Sequence, residues 1–493
     1  MNFIDTAMKS VMQQGELTLE TDRRHLMHPG THAADHASGQ LDARLMSRAK
    51  GIRMEDHAGR SYIDAFAGLY CVNIGYGREE MADAIAAQTR QLSFYHTYAG
   101  FSNDPAVELS RRLIEDWAPP GMKKVFYGMS GSDANETQVK LAWYYNNVLG
   151  RPRKKKIIAR QRSYHGSGIA TGSLTGQPKF HAGFDLPMPQ VLHTASPDFY
   201  RDARRGASEA EFVADCVEDL EQLIAREGAD TIAAFFGEPV MGSGGIVPPP
   251  AGYWPAIQAV LARHDILFVV DEVVCGFGRL GSRTGSEHYG LKPDLMSLAK
   301  GLTSGYLPLS AVIVSERVWD VIERGSREQG AMSHGWTYSG HPVCAAAALA
   351  NLDIIEREQL VGRAAEVGAY LQARLHDVFD AHPLVGNVRG AGMLAALELM
   401  ADGGERRPFP AAVKASQRVA QAALARGLIV RVLGTHDIVG FAPPLVATRA
   451  DVDEIVAITR DALHDVSDAL LASLAEDRSA VTEESQETAS LNR

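Results

Sequence analysis

Two residues in this chain have the type and setting for covalent chemistry on a carbonyl compound. Lys300 closes the apolar run LMSLA within SLAKGLTSGYLPLSA, residues 297 to 311. An ammonium at the end of a buried strand is costly to desolvate. Such a lysine either snorkels to the surface or serves as an uncharged amine that attacks a carbonyl. Asp271 closes the run ILFVV 29 positions earlier. In a parallel sheet the carboxyl ends of the strands line the ligand crevice, so both residues can reach one pocket. A carboxylate there can hold a heteroaromatic ring nitrogen protonated, and Glu272 beside it reads as a solvated acid. Ser130, Gly131 and Ser132 form a third element between a strand ending at Tyr127 and a helix starting near Asp133. A turn of this kind offers free N–H groups and a positive dipole end to a phosphate, although any capped helix start reads alike. The glycine fingerprint of dinucleotide folds and the Walker lysine are both missing, which argues against a nicotinamide enzyme.

These residues need elements to position them. From about residue 123 to 315 the runs KKVFYG, KKIIA, TIAAFFGEPV, ILFVVDEV, LMSLAKG and LSAVIVS alternate with helical patterns at Asp133 to Leu149, Phe212 to Glu227 and Tyr253 to His264. Continuous Val/Ile/Phe runs read as strands buried on both faces, and their alternation with helices predicts a largely parallel α/β domain. After about residue 345 come two long Ala-rich helices, the short strands GMLAALEL, LIVRVL and IVGFAPPL, and a last helix from Asp451. The division expected is an N-terminal segment, 1–75, packing on a small domain; a large domain, 76–344; the small α+β domain, 345–475; and a disordered tail, 476–493, which lacks a core pattern.

The strings AGLYCVNIGYGR, SGSDANET, SYHG, FFGEPVMGSGG, VVDEVVCGFGR, SLAKGLTSGYLPLSA, TYSGHPV and FAPPL together resemble the class III pyridoxal-phosphate aminotransferases, from about residue 40 to 465. The resemblance implies fold type I, the α/β aspartate-aminotransferase-like architecture of a large parallel-sheet domain plus a smaller α+β domain. It implies pyridoxal 5'-phosphate as cofactor and a homodimer with shared active sites. Lys300 then resembles the Schiff-base lysine and Asp271 the partner of the pyridine nitrogen. Ser130, Gly131 and Ser132 resemble the phosphate cradle, with Tyr164 stacking on the ring and Val273 packing its other face. Thr337 resembles the threonine that reaches the neighbouring subunit's phosphate. Glu238 matches a glutamate near the cofactor that also engages an arginine. Asp133 and Ser310 stand where the family commonly has Glu and Gly.

Branches of the family differ at readable positions. Those using 2-oxoglutarate usually carry Gln two positions after the motif's Glu, where this chain has Val274. The string DEVVCGFGR looks more like the pyruvate-using omega-aminotransferases, in which an arginine matching Arg431 binds the substrate carboxylate. Tyr70 stands where many relatives have Trp, and Tyr98 and Ala99 where they often have two aromatics. Tyr70, Tyr98, Tyr164 and Arg431 are thus the expected substrate contacts. The expected reaction moves an amino group from an amine or omega-amino acid to a keto acid, pyruvate foremost. The alternatives are a 2-oxoglutarate enzyme of 4-aminobutyrate or diamine type, and a non-catalytic protein that keeps the fold.

Composition narrows the field further. Lys and Arg total 49 against 60 Asp and Glu, a formal charge of −11, which argues against a nucleic-acid partner. No apolar run approaches the ~18 residues of a membrane span. The N-terminus lacks a secretory pattern, and four scattered cysteines make neither a disulfide framework nor a zinc site. A cytoplasmic protein is expected. His28, His32 and His36 have i, i+4 spacing, but Pro29 and Gly30 interrupt any helix there. The segment reads as a loop over the site mouth, with no metal.

Overall fold

The computed structural model describes residues 15–434 and 436–491, with side chains as far as Leu474. Its centre is a seven-stranded sheet ordered Met122–Gly128, Ser310–Ser315, Leu295–Leu298, Leu267–Asp271, Ile232–Gly237, Lys156–Arg160 and Val191–Thr194. Ser310–Ser315 alone runs against its neighbours. The middle strands are buried at every position, as their unbroken apolar runs require. Successive side chains point to opposite faces. Ile157, Phe236 and Val269 therefore pack under helix Gly131–Val148, while Ile158, Phe235 and Phe268 pack under Glu209–Glu227 and Tyr253–Arg263.

Two smaller sheets flank this body. Arg53–Asp56 and Ser61–Asp64 pair antiparallel, as GIRMEDHAGRSYIDAF suggests, and Met46–Lys50 extends them. The run LIVRVL divides: Leu428–Ile429 joins Ser61–Asp64 in parallel, whereas Arg431–Leu433 pairs with Ile438–Phe441 in the other sheet. Helices Pro342–Arg357 and Leu360–Phe379 match the Ala-rich patterns. The last helix runs from Arg449 to Leu491, through most of the stretch that reads as a disordered tail. Neither Gly nor Pro interrupts it from 476 onward, so nothing in the chain ends it.

Candidate active site

Leu267–Asp271 and Leu295–Leu298 are adjacent parallel strands, with Asp271 paired to Ser297. Their carboxyl ends therefore bring Asp271 and Lys300 to one crevice. Ser130, Gly131, Ser132, Tyr164, Glu238, Asp271, Val273 and Lys300 all line a single cavity of about 430 Å3, together with Val274. Strand Leu295–Leu298 ends two residues before Lys300, whose φ of +44° turns the chain out of the sheet. Among the described residues the Lys300 amine has no ion pair; its Nζ lies over the Tyr70 ring, 5.4 Å from the centroid.

Asp271 is held from three sides. Oδ2 accepts from Asn135 Nδ2 at 2.7 Å and from His165 Nδ1 at 2.8 Å, and Oδ1 accepts from the Val273 N–H at 3.0 Å. An ionised carboxylate only accepts, so the imidazole proton sits on Nδ1. His165 Nε2 is then left buried without a hydrogen-bond partner among the described residues. Neither His165 nor Asn135 stands out in the sequence; the one available signal is the place of His165 beside Tyr164 in SYHG.

Glu272 is not the solvated acid expected. It is 1% exposed, accepts from the Gly285 N–H and the Ser286 hydroxyl, and caps helix Gly285–Tyr289. Burial pushes its carboxyl up to about 7, with those hydrogen bonds opposing. Glu238 is also buried, and desolvation raises it. Its carboxylate takes the N–H groups of Tyr164 and Gly242, while Arg160 donates to its backbone carbonyl. The arginine contact expected of that carboxylate is therefore not made among the described residues.

The turn at Ser130–Ser132, expected to receive a phosphate, is fixed by a capping box. Ser130 Oγ accepts the Asp133 N–H, and the Asp133 carboxylate accepts the N–H groups of Met129 and Ser130. Ser310 Oγ donates to Asp133 Oδ1 at 2.8 Å. The two departures from the family pattern thus touch: the shorter acid leaves room for the hydroxyl that it binds. Gly131 permits close packing, since a Cβ there would sit 2.9 Å from the Val273 methyls.

Tyr70 lies in an unusual backbone. Ala67, Gly68, Leu69 and Tyr70 have φ of 46°, 53°, 73° and 67°, a left-handed turn. Such a turn costs about 1–2 kcal/mol per non-glycine residue. Asp64, buried beneath it, accepts from the N–H groups of Phe66 and Gly68 and from the Tyr76 hydroxyl, which offsets that cost. The turn sets the Tyr70 ring over Lys300 and leaves its buried hydroxyl without a hydrogen-bond partner among the described residues.

Four sequence candidates stand apart from the cavity lining: Tyr70, whose ring lies over Lys300, and Arg431, Thr337 and Tyr98. Arg431 is exposed, with no ion pair among the described residues; its positive charge acts on Tyr70. Thr337 and Tyr98 are exposed and lie on a common surface, where the Tyr98 hydroxyl approaches Gly335. The histidine segment is not one helix. His32 turns to cap helix Ala33–Ser38, while His28 and His36 converge on Asp22.

A family model described as Aminotransferase class-III matches residues 34–463. The chain is 57% identical over 454 residues to a diaminobutyrate–2-oxoglutarate transaminase of Halomonas elongata, covering 92% of this chain and 97% of that one. It is 43% identical to gamma aminobutyrate transaminase 1 of Solanum lycopersicum over 87% of this chain and 82% of the relative. Among solved structures, a transaminase from directed evolution by ancestral reconstruction superposes with a TM-score of 0.91 at 68% identity, over 92% and 99% of the two chains. An omega transaminase from Pseudomonas jessenii in complex with PMP gives 0.89 at 43% identity, over 92% and 98%. No helix among the described residues is long and apolar enough to cross a membrane.

Proposed function

The chain belongs to the class III aminotransferase family, and on that premise we propose that it moves an amino group from an amine or omega-amino acid to pyruvate, using pyridoxal 5'-phosphate. Class III aminotransferases use this cofactor. The donor set fits it: an amine with no ion partner, a triply held carboxylate and a helix-start turn share one cavity. When bound, pyridoxal phosphate supplies an aldehyde that condenses with amines and a pyridinium ring that draws electrons from the substrate carbon. Asp271 holds the proton on the ring nitrogen. The N–H groups of the turn and the positive end of helix Gly131–Val148 receive the phosphate. Tyr164 and Val273, both in the cavity lining, would pack against the ring. Lys300 Nζ would serve as the general base that takes the proton from the substrate carbon and as the acid that returns it.

A second copy of the chain completes the site in this reading. Phe94, Tyr95, Tyr98, Phe101 and Tyr338 are each between 37% and 51% exposed, and they surround the segment carrying Thr337. An exposed aromatic patch of this kind suits an interface. Burial of the patch would bring Thr337 and Tyr98 to the partner's cavity.

One pair of observations carries the choice of acceptor: an exposed Arg431, without an ion pair among the described residues, whose charge acts on Tyr70, and a cavity wall that is apolar at Val273 and Val274. An arginine clamps one carboxylate well, and this wall offers a second one little. The 57% identity to a diaminobutyrate–2-oxoglutarate transaminase favours the rival reading, 2-oxoglutarate as acceptor. Steady-state kinetics with both keto acids decide between them. Pyruvate should lead in kcat/KM by about tenfold or more, equivalent to ~1.4 kcal/mol of transition-state binding. Arg431→Ala should penalise pyruvate far more than a carboxylate-free phenylethylamine. A preference for 2-oxoglutarate, or equal penalties, would overturn the pyruvate assignment.

A further inference from the structure

We propose that Asp22, His28 and His36 form a divalent-metal site, of the kind that takes Zn2+, which fastens the N-terminal segment of the chain. His28 Nε2 lies 2.9 Å from Asp22 Oδ1, and His36 Nε2 lies 2.9 Å from Asp22 Oδ2. The two imidazole rings are 4.2 Å apart, tilted by 41°. All three donor atoms fall within 4.8 Å of one another.

Zinc binds imidazole nitrogen and carboxylate oxygen at about 2.0–2.2 Å in a tetrahedral shell, which sets neighbouring donors roughly 3.3 Å apart. The two histidine–carboxylate separations fall about 0.4 Å short of that value and the third lies within 4.8 Å, so side-chain shifts convert the hydrogen-bonded cluster into a three-ligand set. The fourth position faces outward, because the His28 side chain is 34% exposed whereas those of Asp22 and His36 are 11% and 6% exposed. Two imidazoles and one carboxylate suit zinc and its first-row neighbours better than Ca2+ or Mg2+, which prefer oxygen alone. Metal binding uses the lone pair on Nε2. Each ring must therefore present Nε2 without its proton, which passes to solvent or to Nδ1.

The sequence pointed elsewhere. Its i, i+4 histidines could meet only on a helix, and Pro29 with Gly30 prevents one. The structure uses that break. The chain reverses between the helix over 15–25 and helix Ala33–Ser38, so that Asp22 on the first meets His36 on the second. His28 comes from the connecting loop, and His32 is left out. A metal here would tie both helices across the loop. This inference does not depend on the aminotransferase reading, since none of the three residues lines the cavity.

The test uses tag-free holoenzyme, stripped with a chelator and titrated calorimetrically with zinc chloride. One Zn2+ per chain should bind, with Kd on the order of micromolar or tighter. Saturating zinc should raise Tm, and Co2+ in its place should give the visible d–d bands of a four-coordinate site. Because His36 is buried, its replacement can fail to fold. The diagnostic variant is therefore His28→Gln, half-exposed and still able to donate to Asp22. It should keep the wild-type circular dichroism and cofactor absorbance while losing zinc affinity at least about tenfold. Absence of stoichiometric binding in the wild type, or equal affinity in His28→Gln, would overturn the proposal.

Discussion

His165 offers a direct test of how the site holds Asp271. Of the three hydrogen bonds that this carboxylate accepts, the one from Nδ1 at 2.8 Å comes from a side chain that is 2% exposed, packs edge-on against Phe236 and makes no other hydrogen bond among the described residues. A hydrogen bond to a charged group contributes about 1.5–3 kcal/mol. His165→Leu fills nearly the same volume and removes the donor, leaving Oδ2 with Asn135 alone. If the whole contribution is felt where the ring nitrogen must stay protonated, the proton-transfer step slows by about 10- to 150-fold, at ~1.4 kcal/mol per decade. His165→Asn is the control, because its Nδ2 branches from the same carbon as Nδ1 and can restore the donor. Its loss should stay under about tenfold. The assay is single-turnover mixing with excess amine, following the cofactor band, alongside a titration of cofactor affinity. A merely structural role for His165 would lower both variants together and show in affinity or Tm. A Leu variant within about threefold of wild type, or Leu and Asn variants alike, would refute the positioning role.

The contact between Asp133 and Ser310 should appear as a coupling energy of at least about 1 kcal/mol in a double-mutant cycle, because Asp133→Glu crowds the hydroxyl that Ser310→Gly removes. Additive effects on the urea midpoint would mean that the two departures are independent. Glu272 has a folded value of about 7 against an ordinary 4.5. Both states are protonated below 4.5. As pH rises toward 7 the unfolded chain ionises first, so stability falls across that window by up to about 3 kcal/mol and then levels. Unfolding followed from pH 5 to 8 should show a flatter profile in Glu272→Gln; matching slopes would exclude Glu272 as the source. Gly68→Ala places a Cβ 2.9 Å from the Tyr76 hydroxyl at a φ of +53°, and should cost about 2 kcal/mol or more. An undiminished urea midpoint would deny the left-handed turn.

The sequence by itself determined the central sheet, the placing of Asp271 and Lys300 at its carboxyl edge and the turn at Ser130–Ser132 that opens helix Gly131–Val148. Burial on both faces demands continuous apolar runs, so Ile232–Gly237 and Leu267–Asp271 announce themselves, and with them the strand end that carries Asp271. Helix starts are equally local, because Ser130 and Asp133 satisfy each other's backbone within one turn. Weaker elements left little trace: Val385–Ala391 carries two glycines, and LIVRVL reads as one strand although Val430 separates two sheets. Only the tertiary structure decided which polar residues meet. His165 and Asn135 reach Asp271 from elements over 100 positions away, and Ser310 finds Asp133 across 177. It also turned Glu272 inward and carried Asp22 to His28 and His36. A hydrogen bond depends on the final path of the chain, to within fractions of an ångström. Hydrophobic periodicity constrains only which face of an element is buried.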